Sequence, residues 1–77
     1  MTLGEERVRV SFNPSGDNVV DKIKQLSADL IDLCEGLKGN DPRLAALAQT
    51  QYEQAAMWAV KAATTQAKPK SVADLIA

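Results

Sequence analysis

The sequence predicts an all-α fold: an antiparallel helical hairpin with a short extended N-terminal arm, assembled as a homo-oligomer. Three observations carry this. Two long stretches place apolar residues at helical spacing, a break bearing Gly39 and Pro42 separates them, and the chain has only 77 residues, twelve of them alanine. A chain of this length gains little from its own core and usually relies on disulfides, a metal or a partner subunit. With one cysteine, Cys34, and no histidine, it has neither an internal disulfide nor a cysteine-histidine zinc site. Self-association is the remaining source of stability.

Residues 1–16 read as an arm and turn. Val8, Val10 and Phe12 alternate with Arg7, Arg9 and Ser11, the period of two that sets apolar side chains on one face of an extended segment. Asn13-Pro14-Ser15-Gly16 then breaks the chain, because Pro14 disfavours a helical Asn13 and Gly16 allows a positive φ.

The hairpin is expected over residues 17–66, with helices at about 17–37 and 42–66. The first starts at Asp17 or Asn18, where Asn18 and Asp21 resemble a capping box. Its packing seam is Ile23, Leu26, Leu30, Leu33 and Leu37, widened by Val20, Ile31 and Cys34. Gly36 and Gly39 supply the stop, and Asp41-Pro42 opens the second helix as N-cap and first helical residue. That helix carries one stripe of Leu44, Leu47, Ala48, Gln51, Ala55, Trp58, Ala62 and Thr65 and an adjoining one of Ala45, Tyr52, Ala56, Ala59 and Ala63. A two-helix hairpin has one inner face, so the second, alanine-rich stripe is assigned to contacts between subunits. Residues 67–77 form a tail in which Lys68-Pro69-Lys70 ends the helix and Ser71 with Asp74 can cap a short turn through Val72, Leu75 and Ile76.

Catalysis is not expected. Cys34 lies on an apolar stripe with no histidine to act as its base, and reads as a buried structural thiol. Asp29, Asp32 and Glu35 read as a solvated helix face, and no phosphate-binding loop or dinucleotide motif is present. No cofactor or metal is implied. A net charge of −1 argues against binding DNA or RNA polymers. No apolar run reaches the roughly 20 residues of a membrane span, and Met1 to Arg9 lack a signal-type apolar segment, so a cytoplasmic location is expected.

A binding constellation remains. Arg7, Arg9 and Phe12 on the arm, the Asn13 to Gly16 turn at a helix N-terminus, and Lys22 and Lys24 in the first turns bring together cations, amide donors and an aromatic ring. Phosphates require the first two and a nucleobase the third. Read from the residues alone, Phe12 is more often a core plug than a base platform. Trp58 with Lys61 likewise reads as core with a cation reaching to solvent before it reads as a site.

Three segments, Arg9 to Gly16, Val20-Asp21-Lys22-Ile23-Lys24, and Glu53 to Ala62 with its Met57-Trp58 pair, together resemble the helical hairpin shared by the phage anti-CBASS and anti-Thoeris nucleotide sponges. The resemblance covers roughly residues 7 to 65. It implies a compact helical oligomer, with a hexamer favoured, that sequesters cyclic di- or trinucleotide messengers at subunit interfaces without cleaving them and so blocks a bacterial defence effector. Carried onto this chain, it makes Phe12 the stacking ring, Asn13, Ser15 and Gly16 the turn donors, Arg9, Lys22 or Lys24 the phosphate cations, and Arg43 a candidate at a symmetry axis. The sequence lacks the additional sheet of the anti-Thoeris members, which favours the anti-CBASS branch. The alternative is a non-enzymatic helical adaptor that grips a protein through its alanine-rich helix.

Overall fold

The computed structural model describes residues 1–65, and the expectations for residues 66–77 lie outside them. The described residues form three helices, α1 (Leu3–Val8), α2 (Asn18–Leu37) and α3 (Pro42–Thr64).

The first of these corrects the expectation of an extended arm. Thr2 and Glu5 form a reciprocal capping box: the Glu5 amide donates to Thr2 Oγ1 at 3.1 Å and the Thr2 amide to Glu5 Oε1 at 2.9 Å. These bonds use backbone donors that a short helix otherwise leaves unpaired. The helix ends in a Schellman arrangement, with the Val10 amide on the Glu5 carbonyl at 3.0 Å and the Arg9 amide on that of Glu6 at 3.2 Å. Arg9 takes the left-handed position (φ 56°, ψ 56°) usually filled by glycine. Val8 and Val10 therefore lie near the core by different routes, one from the helix and one from the turn, rather than by strand alternation.

α2 starts on Asp17, whose carboxylate accepts from the Val19 amide at 2.8 Å. Asn18 is thus the first helical residue, not a cap, and Asp21 accepts instead from Asn13 Nδ2 at 2.8 Å. Asp41 caps α3 by accepting from the Leu44 amide at 2.9 Å, with Pro42 in the first turn.

The hairpin is rotated relative to the expected seam. Leu26, Leu30, Leu33 and Leu37 are exposed, and the inner face of α2 is Val20, Lys24, Ala28, Ile31 and Cys34. On α3 the stripe of Leu44, Leu47 and Trp58 faces solvent, while Ala45, Gln49 and Ala56 are buried and Tyr52, Ala59 and Ala63 half-buried. The alanine stripe assigned to subunit contacts is therefore the intramolecular face. Small residues let two helix backbones approach closely, and α1 fills the remaining wedge. Gly4 makes that third contact: a Cβ built on it would lie 2.0 Å from the Ala28 carbonyl oxygen, and its amide donates to Asp32 Oδ1 at 2.7 Å. Val8, Ala28, Ile31 and Ala56 form the shared core, with Leu3, Val10 and Tyr52 against it.

One buried polar group links the two long helices. Gln49, fully buried, donates from Nε2 to the Ile31 carbonyl at 3.0 Å and to Glu35 Oε1 at 2.8 Å, and its Oε1 has no partner among the described residues. The Glu35 carboxylate also pairs with Lys38 at 2.5 Å. Hydrogen bonds from Lys38 first and Gln49 second hold the Glu35 pKa below its ordinary 4.5. In acid the unfolded chain then binds the more protons, so this stabilisation is present above pH 4.5 and is lost as pH falls through the lower folded value. Glu35→Gln should flatten the fall of the melting temperature below pH 4.5, with a small amplitude because the carboxylate is exposed. An unchanged acid slope would show that this pair contributes nothing.

Candidate functional site

The turn from Arg9 to Asp17 joins α1 to α2 and is tied together by its own side chains. Asn13 Nδ2 donates to the Asp17 carbonyl at 2.9 Å as well as to Asp21. Ser15 Oγ donates to Asn13 Oδ1 at 2.6 Å and accepts from the Asp17 amide at 3.2 Å. Gly16, at φ 66°, closes the turn with its amide on the Asn13 carbonyl at 3.2 Å. Asn13, Ser15 and Gly16 thus build the turn, and several of their polar groups are already engaged within it. The N-terminus of α2 beside them is occupied by Asp17, with Asp21 in the first turn. Carboxylates there oppose a phosphate at that helix end.

The cationic side of the site lies elsewhere. Phe12 is 53% exposed, too open for a core plug, and the Arg9 guanidinium carbon sits 4.5 Å from its ring centroid. Beneath the turn, Lys24 is buried and its ammonium donates to the carbonyls of Arg9, at 3.1 Å, and of Phe12. Burial foremost, and then the Arg9 charge, push its pKa below the ordinary 10.5, with Asp21 opposing them.

Two grooves meet at Lys24. One, of about 260 Å³, runs from Phe12 and Pro14 to Val60 and Thr64 of α3. The other, of about 410 Å³, lies between the end of α1 and α3 and is bordered by Arg7, Arg9, Met57 and Lys61. Among the described residues, no aspartate or glutamate lines either groove. The pair can therefore accept an elongated anion carrying a flat ring: the ring against Phe12, the negative charge toward Arg9 and Lys61.

Of the residues singled out from sequence, Arg9, Phe12, Asn13, Ser15, Gly16 and Lys24 come together here. Lys22 is exposed and borders neither groove. Arg43 is at the start of α3, beside the far end of a 20-residue α2, hence about 30 Å away within one chain. Lys61 and Thr64 were not foreseen as part of the site. Their signal was the spacing Met57, Val60, Lys61, Thr64, one face of a helix carrying a cation in an otherwise alanine-rich stretch.

Residues 4–64 match the family model described as Acb2/Tad1, hairpin domain. The chain belongs to this family. The match takes in α2, α3, α1 from Gly4 onward and the turn that carries Arg9 and Phe12. No curated protein and no solved structure matches the chain. The Acb2/Tad1 hairpin in this chain thus consists of two long helices with a short third helix laid across them, and the exposed Phe12 and the two grooves lie on the side where α1 and the turn after it meet α3. None of the described helices is long and apolar enough to cross a membrane.

Proposed function

We propose that this protein is a phage immune-evasion sponge that binds cyclic di- or trinucleotide second messengers in the cytoplasm of an infected bacterium, without cleaving them, and blocks activation of CBASS effectors. Membership in the Acb2/Tad1 hairpin family supports the class of ligand. The observation that carries the reading is the exposed Phe12 ring, covered on one side by Arg9 and bordering one of two adjoining grooves that, among the described residues, no carboxylate lines. A stacked base contributes about 1–3 kcal/mol, and arginine adds charge without reacting. Sequestration needs only affinity and abundance.

The test is retention. The purified protein is mixed with a panel of cyclic di- and trinucleotides and filtered, and the bound fraction is released by denaturation. The expected result is loss of a ligand from the filtrate and its intact recovery. Recovery of a linear or hydrolysed product would replace sequestration by an enzymatic reading, and no loss of any ligand would end the nucleotide reading.

Assembly belongs to the same proposal. Leu26, Leu30, Leu33 and Leu37 on α2, with Leu44, Leu47 and Trp58 on α3, are large apolar side chains left in solvent by the protomer. Pairing of this surface with further copies, in a hexamer, would cover it. Leu33 is 69% exposed, so Leu33→Glu should leave the protomer's helices intact while lowering the mass seen in light scattering to that of a smaller species. The helical-adaptor alternative, which used the alanine-rich face of the second helix, loses that face to the protomer's own core; a wild-type protein already monomeric would leave the leucine surface in its place for a protein partner.

A further inference from the structure

We propose that Lys24 is the positioning residue of this site, holding Arg9 and Phe12 as a closed clamp that a ligand's base enters, and that it does not itself bind phosphate. The inference rests on the nucleotide-binding reading above. An ammonium has three donors. Two of those of Lys24 are used on the Arg9 and Phe12 carbonyls, and the group lies 5.4 Å from the Phe12 ring centroid. With only 7% of the residue exposed, Lys24 has little freedom to turn toward a phosphate in solvent.

Its effect on the clamp follows from the backbone it ties. Arg9 is the only residue other than glycine with a positive φ among those described, at the end of α1 where glycine would adopt the same conformation without steric cost. A side chain in that region is sterically disfavoured, a cost that the bond from Lys24 to the Arg9 carbonyl helps to offset. The left-handed turn returns the chain so that Phe12, three residues on, donates its amide to the same Arg9 carbonyl at 2.8 Å. One buried cation thereby fixes both ends of a four-residue turn, and the Arg9 guanidinium comes to rest on the Phe12 ring. Arg9 is exposed and can swing aside to admit a planar base, after which its guanidinium can cap the base or meet a phosphate. Lys24 stays beneath.

The experiment follows the Lys24 ammonium by nitrogen-15 NMR in the wild-type protein, free and with a cyclic dinucleotide. The expected result is a resonance that keeps its coupling to the Arg9 and Phe12 carbonyls and gains none to phosphorus. Coupling to phosphorus would overturn the proposal. In calorimetry, Lys24→Met should weaken binding about tenfold or more while leaving its dependence on salt concentration unchanged, and Arg9→Ala should reduce that dependence. An equal reduction in both variants would make Lys24 a phosphate ligand and overturn the proposal, as would wild-type affinity in Lys24→Met. The free proteins give an independent readout: the Arg9 to Phe12 amide resonances should move in Lys24→Met while those of the α2–α3 contact around Gln49 do not. Unmoved Arg9 to Phe12 resonances would overturn positioning. If they move but the wild type binds no cyclic nucleotide, positioning stands and the nucleotide reading falls.

Discussion

Gly4→Ala should cost the protein about 3 kcal/mol or more. The added Cβ would lie 2.0 Å from the Ala28 carbonyl oxygen, with the Ala28 carbonyl carbon at 2.7 Å and Cα at 2.8 Å, all backbone atoms of a helix that cannot give way. Overpacking in a core costs about 1–3 kcal/mol, and lifting α1 also removes the amide bond from Gly4 to the Asp32 carboxylate, a charge-assisted bond contributing about 1.5–3 kcal/mol. Against a total stability of about 5–15 kcal/mol for a small domain, that is a large share. Chemical denaturation reads it directly. The matched control is Gly36→Ala, a helical glycine with nothing within 4 Å of the added carbon, which should stabilise by about 0.5–1 kcal/mol. Similar midpoints for both variants would show that α1 does not rest on α2 as described. Because Arg9 caps α1, the Gly4 variant should also lose ligand affinity even under conditions where α2 and α3 remain helical.

Phe12→Ala should remove most nucleotide binding and leave the fold. The ring is 53% exposed and outside the buried cluster, while the backbone bond from its amide to Arg9 and the carbonyl bond from Lys24 do not involve the ring. Truncation therefore leaves the turn its polar ties. It deletes the face against which Arg9 packs and a base would stack, a loss of about 1–3 kcal/mol per base, or roughly fivefold to over a hundredfold in affinity. Calorimetry with the ligand retained in the filtration experiment measures the affinity, and thermal melting reports the fold. Unchanged affinity would remove Phe12 from the site and shift attention to the Lys61 side of the grooves. A matching loss of melting temperature would instead make Phe12 structural.

The two sites of these substitutions were unequally legible. Phe12, Arg9 and the Asn13 to Gly16 turn stood out in sequence because aromatic, cationic and turn-forming residues lie within eight consecutive positions. The close approach at Gly4 was missed, although Thr2-Leu3-Gly4-Glu5 holds a capping-box signature that announces a helix at once. Alternation at Val8, Val10 and Phe12 suggested a strand more strongly, and three apolar residues two apart are too few to tell a strand from a helix end followed by a turn. Lys24 read as a candidate phosphate cation, because nothing local marks a lysine whose carbonyl partners are 12 and 15 residues earlier.

Local chemistry by itself determined where α2 and α3 begin, since Asp17, Asp41 and Pro42 act on backbone groups within a turn of themselves; α2 runs through Gly36 and ends on Lys38 in a right-handed conformation, without a glycine cap. It also determined that the chain is helical and short of large core residues. Only the tertiary structure decided which helical faces meet. Both helices carry two apolar stripes about one residue apart, and periodicity treats them alike. Close packing separates them: the stripes of small residues allow the backbones and α1 to come together, so alanines, Gln49 and Ile31 go inside and the leucines and Trp58 are left facing solvent.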